Sequence, residues 1–520
     1  MTPMEDAKPT VIIIGAGFGG LAAGIRLAAS GCAVTIIESH AAVGGKARAI
    51  PSIAGPVDTG PTVLTMRHVF DDLFALNHES LDDHITLIPQ PILARHWWPD
   101  GSTLDLTPHR DANIRAIAAF AGAREARAFA RFDTLAERLR STFDQPVMQG
   151  PKPDLKAIAK AAISSPAIWP ALIPGMTLSR LLHLTFRDPR LRQLFGRYAT
   201  YVGGRPTHAP AVLALIWRAE AQGVWAVQGG MHSLAKALAD LFQRMGGTII
   251  LNTHATRINT QSGHVTGVQT RDAAHTADSV IFNGDPAALT QGLLGQAASV
   301  IPARQTQPRS LSAHVWAFAA TPSGPPLIHH NMFFTDTPAQ EFGPIGLGRM
   351  PETPSLYVCA QDRATGTPTG PERFEIIINA PAGLQPTADE DSLCRTRTFQ
   401  TLARFGLTFT DGAKTLTTPT TLDQMFPASM GAIYGRSPEG TLAAFSRPQA
   451  ITKLPGLYLA GGGAHPGAGV PMAALSGLHA AAAILTVRIS GLRSHPMVTH
   501  GGTSTGSATM APKPSASSAS

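Results

Sequence analysis

Short apolar runs separated by glycine and proline turns recur along the chain, and their spacing predicts alternating strands and helices. Residues 11–14, Val-Ile-Ile-Ile, have no polar face, as expected of a parallel strand covered on both sides. Residues 19–30 then place Leu21, Ile25 and Ala28 on one helical side, Gly31 closes the helix, and residues 33–37 form a second buried strand. Residues 112–139 carry helical spacing, with Arg124, Glu125, Arg127, Arg131 and Glu137 as a solvated face. Strands are predicted at 85–88, 102–106, 248–258, 277–283, 310–320, 355–360 and 373–380, with a hairpin piece at 263–268. A last strand, 457–460, runs through Gly461-Gly462-Gly463 into an Ala/Leu-rich helix from Pro471.

Two stretches leave a choice. Residues 167–186 are apolar but broken by Pro170 and Pro174. They read either as a surface-lying amphipathic element, with Trp169, Leu172, Ile173, Met176, Leu178, Leu181 and Leu182 toward lipid, or as core. Trp97 and Trp98, beside Arg95, His96 and Asp100, either line an apolar pocket or close a sheet edge.

The first unit carries chemistry. Gly15, Gly17 and Gly20 form G-x-G-x-x-G between a strand and a helix: the first glycine permits the turn, the second admits a pyrophosphate, and the third lets the helix pack. The helix N-terminus favours the anion. Glu38 ends the second strand at about the twenty-residue offset of a ribose-binding acid. This is a Rossmann-like dinucleotide unit in an α/β chain. The turn before residues 232–244, Gly229-Gly230, is a second phosphate-loop-like signal without the full fingerprint.

Composition narrows the rest. A chain of 520 residues with 44% hydrophobic content supports more than one domain. The net charge of +7 without dense basic clusters argues against nucleic acid and fits either an anionic lipid surface or ordinary surface charge. Cys32, Cys359 and Cys394 lack metal-ligand spacing, and adjacent His329 and His330 on a strand are expected to face opposite sides, so no metal is expected. No Gly-x-Ser-x-Gly marks a hydrolase elbow. The sequence predicts neither a signal peptide nor a transmembrane helix, and a disordered Ser/Thr/Gly/Pro-rich tail at 494–520.

Several motifs carry a family resemblance. Val43-Gly44-Gly45-Lys46 resembles the G-G-[RK] element of flavoprotein oxidases and desaturases. Asp58-Thr59-Gly60-Pro61-Thr62 resembles the D-x-G-P-T motif of bacterial carotenoid desaturases of the phytoene desaturase type. The G-V-W-x-x-x-G-G-M stretch ending at Met231, the H-H-N-x-x-F stretch from His329 and the G-x-G-x-H-P-G-A-G-x-P element from Gly461 follow the same family. The His96–Gly101 and Arg197–Gly204 stretches resemble the 1-hydroxycarotenoid 3,4-desaturases, also called methoxyneurosporene dehydrogenases.

The resemblance implies FAD, held by Gly15, Gly17, Gly20, Glu38, Gly44, Gly45, Lys46, Gly60, Pro61, Thr62, Thr256, Gly461, Gly462, Pro471 and Met472. Gly462 and Gly463 stand where many flavin oxidases have an acid, which puts an acid-mediated ribityl contact in doubt. It implies FAD-domain segments at 1–90, 226–300 and 446–493, a helical, membrane-associating substrate region at 91–225 and a substrate-domain sheet at 301–445. The expected reaction is C3–C4 desaturation of a 1-hydroxy acyclic carotenoid, of the 1-hydroxyneurosporene to demethylspheroidene type, in spheroidene-type pigment biosynthesis. The site expected is peripheral, on the cytoplasmic side of a bacterial inner membrane. His96 or Asp100 is the expected proton acceptor. Phytoene desaturation, redox-neutral isomerisation and carotenoid binding without catalysis are the alternatives.

Overall fold

The computed structural model describes residues 8–440 and 443–493, so the predicted tail lies outside the described residues. Strand β1 (Thr10–Ile14), helix α1 (Phe18–Ala29) and strand β2 (Ala33–Ile37) form the expected unit. Their strands sit within a five-stranded parallel sheet ordered Leu457–Leu459, Ser279–Phe282, β1, β2, Thr248–Ile250. Ile13 lies opposite Ile36 on one side and Ile281 on the other. This explains the unbroken apolar runs: both faces are covered, one by α1 and helix Met231–Arg244, the other by a cluster including Val268, Val280 and Leu289.

The closing helix, Val470–Arg493, packs along α1. A Cβ at Gly477 would come within 2.0 Å of the Gly19 carbonyl oxygen, so glycine there permits backbone-to-backbone approach. Residues 470–487 are long and apolar enough to cross a membrane by length and composition, contrary to the reading that no stretch qualifies. However, 61% of that window is buried within the protein. Its apolarity is accounted for by core packing against α1.

A second, seven-stranded sheet is ordered Lys414–Thr417, Ser312–Ala320, Glu372–Ala380, Leu356–Ala360, His330–Phe333, Ala94–Trp97, Thr103–Leu106. It is antiparallel except where His330–Phe333 meets Ala94–Trp97. Side chains alternate between its faces. Leu356, Val358, Phe374, Ile376 and Ile378 pack with Cys394 and Leu402 of helix Ala388–Arg404. The other face carries Tyr357, Cys359, Glu375, Ile377 and Asn379. Polar groups on a nearly solvent-free face require partners, and those partners are the site.

The helical region includes helices Arg110–Ala121 and Ala123–Phe143, the latter covered by Leu178–Thr185, Pro189–Gly196 and Leu215–Ala221 around a cluster of Phe129, Phe132, Phe186, Phe195, Tyr198 and Trp217. The 167–186 stretch divides. Leu178, Leu181 and Leu182 are core, so their assignment to lipid is corrected, while Trp169 and Ile173 remain 53% and 52% exposed.

Candidate functional site

At the carboxyl end of the parallel sheet, Asn283 draws the glycine turns together. Its Nδ2 donates to Gly15 O at 2.9 Å, and its side chain is what a Cβ at Gly17, Gly19, Gly20 or Gly461 would meet, at 2.6 to 3.2 Å. Gly45 approaches Gly17 from the other side, and Gly44 N donates to Ala16 O at 2.9 Å. A Gly20 Cβ would lie 2.2 Å from Gly15 O, which bars any side chain there. Gly15, Gly17, Gly20, Gly44, Gly45 and Gly461 therefore form one cradle at the N-terminus of α1. That terminus has no capping side chain. Asn283 Oδ1 has no hydrogen-bond partner. Asn283 was legible only as the end of a strand.

Glu38 is buried beside the cradle. Its carboxylate accepts from Ala16 N at 2.7 Å, His40 N at 2.9 Å and the His40 ring at 2.8 Å. Burial alone would raise this carboxyl, but the His40 ring and the two backbone N–H groups outweigh it and hold it below the ordinary range. A charged acid is thereby kept beside the cradle.

Lys46 donates to Ile433 O at 2.9 Å and to Ala432 O at 3.4 Å. Burial pulls its pKa down to about 8, opposed by Asp285 and reinforced by Arg309 and Arg447. Buried Arg447 donates to the carbonyls of Tyr434, Arg436 and Gly462. Burial lowers its pKa to about 10. Asp285 is engaged by Arg309. Lys46 and Arg447 are thus held by neutral carbonyls, a donor set suited to an anionic group such as a pyrophosphate. The conformations and charges present fit a bound dinucleotide. Arg447, Asp285 and Asn283 escaped sequence reasoning because they come from distant segments with no local motif.

The second phosphate-loop-like turn has a different role. The N-terminus of helix Met231–Arg244 is occupied by the Asp58 carboxylate, which accepts from Met231 N at 2.5 Å and His232 N at 3.1 Å. Burial raises Asp58 to about 6 even so. The protein supplies its own anion there, so that signal is corrected.

Asp58 begins a segment laced to the seven-stranded sheet. Gln361 holds Asp58 through its backbone N–H at 3.0 Å and carbonyl at 2.7 Å. Gly60 N donates to Glu375 at 2.6 Å. Thr62 Oγ1 shares a 2.7 Å hydrogen bond with Tyr357 OH, which also meets His330 Nδ1 at 2.6 Å. Burial raises the Glu375 carboxyl well above its ordinary value.

Gly60, Pro61, Thr62, Pro471 and Met472 form part of the wall of a cavity of about 1030 Å³. Its lining also includes Arg447 and Tyr434 from the cradle side, Tyr357 and Ile377 from the sheet, and Leu172 and Met176 from the helical region. The volume lies at the upper end of ordinary small-molecule sites. The glycine cradle lies outside this wall. Thr256 is apart from both: it is exposed, and its hydroxyl donates to Gln269 O at 3.1 Å within a small three-stranded sheet.

The structure places His96 and Asp100 away from the cavity. His96 is completely buried, its Nδ1 3.0 Å from Leu104 O, between Trp98 and Phe334. Burial keeps it neutral well below the usual histidine range. Asp100 is exposed and engaged by Ser102 and Arg190. Trp97 stacks on Phe333 and Trp98 on Phe334; neither lines the cavity, and the Trp97 strand is paired on both sides, with Thr103–Leu106 as the edge. The histidine pair also departs from expectation. His329 precedes its strand, so strict alternation does not reach it, and the donor atoms of His329, His330 and Cys359 lie within 4.8 Å of one another.

Comparison with known proteins adds an independent line. The model of the family "Flavin containing amine oxidoreductase" matches residues 18–336. Hydroxyneurosporene desaturase of Cereibacter sphaeroides is 59% identical over 93% of this chain and 98% of its own. The protein of that name from Rhodobacter capsulatus is 57% identical, covering 93% and 99%. Wild-type putrescine oxidase bound to putrescine shares the fold, with a TM-score of 0.60 at 15% identity over 92% of this chain and 99% of that one.

Proposed function

The chain belongs to the flavin-containing amine oxidoreductase family, and on that basis we propose that it introduces the C3–C4 double bond into a 1-hydroxy acyclic carotenoid, as in 1-hydroxyneurosporene to demethylspheroidene. It is an FAD-dependent oxidoreductase and a carotenoid desaturase of carotenoid biosynthesis. The observation that carries the finer reading is the cavity, whose wall joins Gly60, Thr62 and Met472 to an apolar passage through the helical region. A polyene lying there meets the cofactor side with one end.

When bound, FAD supplies the hydride-accepting chemistry. In this reading Gly15, Gly17, Gly20, Gly44, Gly45 and Gly461 would admit its phosphates, Lys46 and Arg447 would neutralise them, and Glu38 would receive a ribose. Asn283 keeps the turns in register, and Pro61, Thr62, Pro471 and Met472, which line the cavity, would hold the ring end of the cofactor. The sheet's part is positional: Glu375 holds the Gly60 backbone N–H and Tyr357 the Thr62 hydroxyl, and the apolar wall excludes water while C3 and C4 are held in place. His96 and Asp100 have no part in it, since neither reaches the cavity.

The same reading puts the protein on a membrane surface, peripherally, on the cytoplasmic side of a bacterial inner membrane. Leu172 and Met176 line the cavity, and exposed Trp169 and Ile173 lie beside them in sequence, with exposed Leu155, Ile163 and Leu184 on neighbouring helices. Apolar groups at such a rim favour entry of a substrate dissolved in lipid. Replacing Trp169 and Ile173 with serine should weaken co-flotation with anionic vesicles while leaving flavin content unchanged; unchanged flotation would remove this face from the account.

The reaction itself is tested with FAD-loaded protein and vesicles carrying either 1-hydroxyneurosporene or phytoene. A product lighter by two hydrogens from the hydroxylated substrate alone supports the proposal. Turnover of phytoene would shift it to phytoene desaturation, and an unchanged mass with altered absorption to isomerisation.

A further inference from the structure

Within the largely apolar cavity wall stands a group of four polar side chains that neither cradle nor sheet employs. Arg197 and Glu220 form a buried pair, 6% and 3% exposed, with Arg197 Nη2 3.5 Å from Glu220 Oε1. Arg197 Nη1 donates to Tyr201 OH at 2.8 Å, and Tyr198 OH donates to Glu220 Oε1 at 3.2 Å. The guanidinium also lies 5.1 Å from the ring centroids of both tyrosines. Arg197, Tyr201 and Glu220 line the cavity; Tyr198, fully buried, backs them.

Desolvating an ion pair costs several kcal/mol per ion unless the remaining donors and acceptors are satisfied. Here they are not. Arg197 Nε and Glu220 Oε2 are buried and have no hydrogen-bond partner. One unused donor and one unused acceptor stand in a group whose formal charges cancel. A carboxylate would suit Arg197 but oppose Glu220, and an ammonium the reverse. Neither orphan atom opens to the cavity, so a ligand meets the group through the Tyr201 hydroxyl, and an alcohol, which both donates and accepts, pairs with that hydroxyl in either sense.

We infer that Arg197, Tyr201 and Glu220 form the subsite for the hydroxyl-bearing end of the substrate. This rests on the proposed desaturation of a hydroxylated polyene and names the residues that select it. Tyr201, the member left partly open, meets the end group, with the Arg197 donor and Glu220 acceptor beneath it. A polyene without the hydroxyl leaves the Tyr201 hydroxyl, and the charged pair behind it, facing hydrocarbon, a mismatch that hydroxyl-reading sites convert into rejection by orders of magnitude.

The test compares initial rates of the FAD-loaded protein on a 1-hydroxylated acyclic polyene and on the same polyene lacking the hydroxyl, both in vesicles. The wild-type ratio should exceed about 100. In Tyr201→Phe and in Glu220→Gln it should fall about tenfold or more, with the flavin spectrum retained. A wild-type ratio near one, or variants that keep the wild-type ratio, would overturn the subsite while leaving the desaturase reading intact. If Glu220→Gln loses its flavin, Tyr201→Phe and the wild-type ratio still decide. A wild type inert toward the hydroxylated polyene would instead defeat the reading on which the subsite rests.

Discussion

The two sheets of this protein solve opposite problems. The parallel sheet is apolar on both faces and delegates its chemistry to backbone: glycine turns, free N–H groups at α1 and one acid, Glu38. The seven-stranded sheet has one apolar face and one that buries His330, Cys359 and Glu375 and half-buries Tyr357. Its chemistry lives in side chains whose partners come from far away in sequence, as with Thr62 and Tyr357 or Gly60 and Glu375. The first arrangement tolerates almost no added atom. The second tolerates atoms but depends on protonation and pairing.

The largest expected effect lies in the first region. Its α1 entrance has no room: a Cβ at Gly17 would lie 3.2 Å from Asn283 Nδ2, and the further methyls of Gly17→Val would occupy the space of a pyrophosphate. Purified Gly17→Val should contain no FAD by absorption and mass, with its circular dichroism retained; stoichiometric flavin in that variant would break the contrast at its strongest point. In the second region an atom can be removed with less damage. Tyr357→Phe deletes the hydroxyl bridging Thr62 and His330 and should keep FAD while slowing turnover about tenfold, the equivalent of one hydrogen bond. Loss of flavin in Tyr357→Phe would show that the regions are not separable.

This contrast also explains what sequence could reveal. The β1–α1–β2 unit was legible because periodicity, glycine spacing and the acid lie within one local segment, and its predicted boundaries differ from the observed ones by a residue or so. Most strands of the second sheet were legible as strands, but Ala94–Trp97 and Lys414–Thr417 were missed, and none of the pairing was legible. His96 looked available in sequence yet is enclosed by Trp98 and Phe334, and Asp100 is turned to Ser102 and Arg190. Asn283, Arg447 and the Arg197–Glu220 pair gain meaning only through tertiary contact. The G-G-M turn misled for a related reason: the anion for its helix is Asp58, over 170 residues earlier.

Acid should sharpen the contrast further. Burial lowers His314 and His329 to about 4 and holds His96 and His330 well below the ordinary histidine value, all on or beside the second sheet. A histidine with a depressed folded pKa contributes stability that is complete above its unfolded value near 6.5 and is lost as pH falls toward and through the folded value. His479 on the closing helix, also about 4, acts in the same sense. Asp58, raised to about 6, acts oppositely: its contribution is present below 3.8 and lost as pH rises through 6. Buried Glu341 and Glu375, also raised, act in the same sense as Asp58, but the five histidines outweigh these three acids, so Tm should fall between pH 6.5 and 4. A Tm that rises over this interval would contradict the buried neutral histidines. The smallest effect is expected at Asp100. It is exposed, and Asp100→Asn should change stability by less than about 0.5 kcal/mol and turnover by less than about twofold; a large loss of turnover would return it to the chemistry.

The central claim is that one cavity carries the polyene from the rim near Trp169 to the cofactor held between the two sheets. It is tested most directly by a crystal structure with FAD and a hydroxylated acyclic polyene bound under anaerobic conditions. The account predicts the flavin ring against Gly60, Thr62 and Met472, with C3 and C4 of the polyene stacked beside it. A polyene bound outside this cavity, or a flavin ring turned away from it, would contradict the account.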